Sequence, residues 1–233
     1  MPLAGEIQDH SNRVITELLA GHDYYVHTKL AWRMVQHHVA EGRSFRFDNP
    51  VTGSTQGEAE LIGLSQTYVT RYLAESVFQH FVALLEDFVF GLLELWLSAH
   101  PGGIPRKDEK SVDFATIMEA PDKDAIVRFV VARELDGLKY KRPVAWFRYL
   151  NERVKLGGPT EEQVERLAEI KASRDILAHN RGVVNETYLD KAGSRARHAE
   201  GQRLEVEEPY LLESWALIRS VVAELSASAV ARA

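Results

Sequence analysis

From about Ser65 to Ala99 the chain carries its most constraining feature, a long helix that is apolar on two sides. Val77, Phe81, Leu84, Phe88, Leu92 and Leu95 recur at three- and four-residue steps and make one seam. Val82, Val89, Phe90, Leu93 and Leu97 cover much of a second face. At the usual rise per residue this helix is about 50 Å long. A helix greasy on two sides is either central in its own fold or buried in a partner chain. Glu86, Asp87 and Glu94 interrupt the apolar run, which argues against a membrane span. Glu86 lies on the line of Val82, Phe90 and Leu93 with no cation three or four residues away. It is either an acid at the edge of the seam or one whose partner comes from another helix. Gly91 weakens the helix slightly, but lets a neighbour approach closely.

The remaining stretches read as helices around this one. Residues 6–41 form one or two helices on either side of Gly21, with Ile7, Val14, Leu18, Tyr25 and Val35 among their apolar positions. His22, His27, His37 and His38 crowd that segment, but none are spaced as i,i+4 pairs and no His-Glu-x-x-His motif occurs, so no metal site is expected. Ser44 to Gly57, with Phe45, Phe47, Asn49-Pro50 and Thr52-Gly53, reads as an extended linker and lacks a Walker ending. After the break at His100–Pro105 come a short segment near Val112–Met118 and a helix from Asp122 to about Leu138. The latter should turn Ile126, Phe129, Val130 and Leu135 inward. Pro143 and Gly157 bracket a helix that buries Trp146, Phe147, Leu150 and Val154, its aromatic residues reading as core rather than as stacking surfaces. Pro209 opens a last helix on Leu211, Trp215, Ile218, Val222 and Leu225. No convincing sheet is visible, so the expected class is all-α. Residues 1–60 form a helical N-terminal extension and linker, and residues 61–230 a helical domain.

Composition excludes some chemistry. The 233 residues contain no cysteine, which removes disulfides, thiol nucleophiles and cysteine zinc sites. The N-terminal residues have neither a basic region nor an apolar run, so no secretory signal is expected and the protein should be soluble and cytoplasmic. A net charge of −6 speaks against non-specific nucleic-acid binding over the whole surface. The charge is uneven, however. Lys139, Lys141, Arg142, Arg148, Arg153 and Lys155 are opposed by Glu152 alone, and Lys191, Arg195, Arg197 and Arg203 by Glu200 alone. Such runs are commonly solvated surface. Here they flank one helix in sequence, so the alternative expectation is a local phosphate-binding surface.

That helix opens at Thr160, whose spacing to Gln163 suits a capping box, and ends near Asn180 and Gly182. Leu167, Ile170 and Leu177 share a face, and Arg174 falls on the same line. A cation on an apolar stripe is costly unless a carboxylate or a wet cleft receives it, and Glu86 is the candidate partner. Asp175 and His179, four apart, are neighbours on the adjacent face. The cluster reads either as a snorkelling arginine with a helix-capping histidine, or as a phosphodiester site. In the second reading His179 moves protons and Arg174 holds the phosphate.

Arg174-Asp175-Ile176-Leu177-Ala178-His179, followed by Asn180, resembles the Arg-polar-x-x-x-His motif of HEPN domains. These all-helical modules occur in RNases of toxin–antitoxin, abortive-infection and related defence systems. The resemblance spans roughly Leu61 to the C-terminus. It implies a HEPN-like helical bundle and a homodimer in which each subunit gives an arginine and a histidine to one cleft. It also implies metal-independent RNA cleavage by the 2′-hydroxyl, with Arg174 and His179 catalytic and no cofactor. Asp175 would orient His179, Asn180 would bind a phosphate or nucleotide oxygen, and Glu86 would support Arg174. Lys191, Arg195 and Arg197 would meet the RNA, and an antitoxin would be a protein partner. The alternative is a non-catalytic helical module binding a nucleotide, RNA or protein partner.

Overall fold

The computed structural model describes residues 2–44, 46–104 and 112–233. It starts with α1, a single helix over Leu3–Ala40, where the sequence left one or two open. Gly21 does not break it. A Cβ there would come within 2.9 Å of the Phe81 ring, so the glycine marks a close crossing of two helices. Ile7, Val14, Leu18 and Tyr25 are buried in the same core as the helices that follow.

The segment read as a bare linker holds a small antiparallel hairpin, Phe47–Asp48 against Thr55–Gln56. Its turn is built on Asn49, whose side chain accepts from the backbone N–H groups of Val51 and Thr52, with Gly53 at φ 68°. Asx-type turns of this kind are what Asn and Gly supply. It is the one sheet among the described residues, beside an isolated antiparallel bridge between Val183 and Arg203, and Phe45 lies outside them.

The apolar helix is longer than its seam. α2 (Glu58–Thr67) passes through a π-helical turn, Tyr68–Leu73, into α3 (Ala74–Ala99). Both faces of α3 are buried within its own chain: Phe78, Phe81, Val82, Leu85, Phe88, Val89, Leu92, Leu93 and Leu97 are essentially inaccessible. Burying one such side chain stabilises by about 1.5–3 kcal/mol, so α3 is the core element. α1 packs along α3 and α9 (Glu208–Val230), while α5 (Lys123–Lys139), α6 (Pro143–Val154) and α7 (Glu161–His179) cover other sides of α3. A short α4 (Phe114–Glu119) is capped by Asp113, and α8 (Glu186–Ala192) by Asn185. No described helix is long and apolar enough to cross a membrane.

Two local expectations are corrected. α5 buries Val131, Leu135 and Leu138, whereas Phe129 is 42% exposed. The inward line therefore runs through Val131 in place of Phe129. α6 buries Trp146, Phe147, Leu150 and Val154 as expected, but Lys155 (φ 56°) makes its left-handed exit, ahead of Gly157. At the end of α7, Arg181 and Gly182 both turn left-handed (φ 54° and 75°), with the Gly182 N–H bonded to the Ile176 carbonyl. The Thr160–Gln163 capping box at the other end of α7 is present.

Candidate active site

The last three turns of α7 form one wall of a cleft of about 590 Å³. Glu86 from α3, the turn between α5 and α6, and α8 complete it. Arg174 donates from Nη2 to Glu86 Oε1, the partner its place on the apolar stripe called for. Lys171 reaches the same carboxylate at 3.1 Å and also bonds Asp175 at 3.1 and 3.2 Å. Lys191 of α8 holds Asp175 Oδ2 at 3.2 Å, and Arg174 Nη1 lies 3.4 Å from Oδ1. Three cations thus share two carboxylates in a partly buried network, and Arg174 Nε is buried with no acceptor. Burial alone would raise the Asp175 pKa, but Lys171, Arg174 and Lys191 more than offset it and hold the carboxyl below the usual aspartate range. Asp175 is therefore ionised at neutral pH.

His179 closes α7 on the exposed side of the same cleft. The expected Asp175–His179 dyad is not formed. Both carboxylate oxygens of Asp175 are taken by lysines, and no hydrogen bond to His179 is found among the described residues. Spacing of four permits a contact, but Lys171 stands at the same spacing on the other side of Asp175 and carries a full charge. Asn180 lines the cleft, yet its amide Nδ2 donates to the Val183 carbonyl at 2.6 Å and braces the turn instead of standing free.

The two basic runs behave differently. Lys139, Lys141 and Arg142 all line the cleft. Of the second run only Lys191 does. Gly193 (φ 58°) turns the chain back over the N-terminal half of α7, where Arg195 pairs with Glu165 at 3.2 Å. Arg197 lies over the Tyr210 ring, 3.5 Å from its centroid, and donates to the Glu205 carbonyl. Both arginines brace this strap and lie away from the cleft. Beneath it, buried Glu169 accepts from Ser173, Tyr188 and Tyr210, a satisfied core network.

Lys171 was not singled out in the sequence, although its place four residues before Asp175 was a usable signal. The cleft sets Lys139, Lys141, Arg142, Lys171, Arg174 and Lys191 against Glu86 and Asp175, with exposed His179 at its edge. Such a surplus of cations suits a phosphate-bearing ligand. Among the described residues, no three His, Asp or Glu side chains converge as metal ligands. No protein-family model, characterised protein or solved structure matches this chain.

Proposed function

We propose that this chain is a metal-independent endoribonuclease of the HEPN type. The observation that carries the reading is that Arg174 and exposed His179 line one cation-rich cleft. The substrate's 2′-hydroxyl attacks its own phosphorus, the 5′-oxygen leaves, and a 2′,3′-cyclic phosphate remains. His179 takes the proton from the 2′-hydroxyl or returns one to the 5′-oxygen. Arg174 steadies the charge on the phosphorane; its guanidinium carries five donors, of which Glu86 and Asp175 engage only part. Lys171 and Lys191 add positive charge, while Glu86 fixes the guanidinium plane. Each chain brings one histidine to the cleft, whereas the reaction uses a base for the 2′-hydroxyl and an acid for the 5′-oxygen, so a second copy supplies the complementary pair. A chain with this activity acts on cellular RNA in the cytoplasm and calls for an antitoxin or other restraint.

A second reading, a non-catalytic module that binds a phosphate-bearing ligand, is favoured by the occupied state of the network. Arg174 and Asp175 already have partners, and His179 has no orienting acid. One experiment separates the two. Purified protein with a chelator should cleave RNA to 2′,3′-cyclic ends and leave DNA intact. His179→Ala and Arg174→Ala should each lower cleavage about a hundredfold or more while remaining folded by circular dichroism. If the wild type binds a broad RNA panel yet leaves it whole, and both variants bind as well, the module reading stands.

A further inference from the structure

The turn between α5 and α6 presents an aromatic ring to solvent at the lip of the cleft. Tyr140 is 92% exposed, the largest value of any tyrosine, while its neighbours Leu138, Trp146 and Phe147 are buried. Exposing a whole ring forgoes the burial that aromatic residues normally contribute to a core. The backbone beneath it is firmly tied. The Leu138 carbonyl accepts both the Lys141 N–H and the buried Trp146 indole, each at 2.9 Å, and buried Pro143 starts α6. The ring therefore stands on a fixed turn and loses little freedom when something stacks on it.

Its surroundings are cationic. Lys139 and Arg142 have carboxylate partners, Asp136 and Asp190. Lys141 is exposed and pairs with no carboxylate among the described residues. A ring between cations, beside a cleft read as a phosphate site, matches the pairing that binds unpaired nucleotides: stacking for the base and charge for the backbone. A duplex keeps its bases stacked on one another and offers such a ring nothing to hold.

We infer that Tyr140 is a stacking platform for an unpaired nucleobase adjoining the phosphate in the Arg174–His179 cleft, which makes single-stranded RNA the substrate class. This inference rests on the endoribonuclease reading. Tyr140 is a binding residue outside the proton-transfer chemistry, and Lys141 supplies charge to the neighbouring phosphate.

The test uses a fluorescent 2′-O-methyl oligonucleotide, which cannot be cleaved by its own 2′-oxygen, as a single strand and as its duplex. Anisotropy titrations of wild type should favour the single strand. Tyr140→Ala should weaken single-strand binding by roughly 5- to 150-fold, the range for losing one base stack, and leave duplex binding unchanged. Tyr140→Phe should retain wild-type affinity. Lys141→Ala should flatten the salt dependence by about 0.7 in log–log slope, and Tyr140→Ala should not. The stacking role is overturned if wild type does not bind the strand or if Tyr140→Ala binds it as wild type does. It is equally overturned if single strand and duplex lose alike, or if Phe loses as much as Ala. Cleavage of unmodified RNA by the same preparations keeps the two claims apart. Cleavage with unchanged Tyr140→Ala binding removes only the stacking role, whereas the expected binding pattern without cleavage removes only the endoribonuclease reading.

Discussion

Among single residues, Glu86 bears the most weight, because it faces two cations while itself only 27% exposed. Glu86→Gln removes the anion and leaves Lys171 and Arg174 crowded, with Asp175 as their remaining counter-charge. A loss of about 1–3 kcal/mol in urea unfolding is expected, together with a disturbed cleft. Glu86→Gln combined with Arg174→Gln should cost less than the sum of the two single changes. Strict additivity would show that the two side chains do not depend on each other. This pair was legible in the sequence because each member, alone on an apolar face, demanded a partner. Asp175 was misleading for the opposite reason. Its spacing to His179 is a geometric opportunity, and two ammonium groups took the carboxylate instead, one of them from α8 and invisible to local spacing.

Between elements, the α1–α3 crossing turns on two glycines. A Cβ on Gly91 would run into the His10 ring. That ring cannot easily retreat: it lies parallel to Phe88 with centroids 5.8 Å apart, and its Nε2 faces the Phe88 carbonyl at 3.3 Å. Arg13 reaches its Nδ1 at 2.9 Å and Asp87 at 3.0 Å, tying the two helices together. Helix propensity alone would make Gly91→Ala stabilising by about 0.5–1 kcal/mol. Overpacking at a tight crossing costs about 1–3 kcal/mol, so the net change should be a loss and a lower melting temperature. Adding His10→Ala should return part of it. A raised melting temperature in Gly91→Ala would mean that the histidine swings aside freely. The close approach was anticipated from a glycine in mid-helix, and the buried face of α6 from its spacing. Phe129 and Tyr140 were not legible, since size favours burial, but the rotation of α5 leaves the first outside the core and the turn after α5 leaves the second there.

At the scale of the whole molecule, the two-sided apolar helix is satisfied without any partner. α3 is enclosed by α1, α5, α6, α7 and α9, so its greasiness no longer argues for a second subunit. The case for a homodimer rests instead on the site. Each chain offers one arginine held by Glu86 and one exposed histidine without an orienting acid, half of what phosphoryl transfer with separate acid and base roles needs. Two-fold pairing across the exposed edge of the cleft would bring two histidines to one phosphate, one for each proton. Light scattering coupled to size exclusion at micromolar concentration should then report twice the 26.3 kDa chain mass. Because surplus cations line that edge, like charges oppose one another across the two-fold axis. Salt that screens them should favour association, the reverse of its effect on binding RNA. A monomer at every salt concentration, still cleaving RNA to cyclic ends, would assign both proton transfers to one chain and remove the composite cleft while leaving Arg174 and His179 in place.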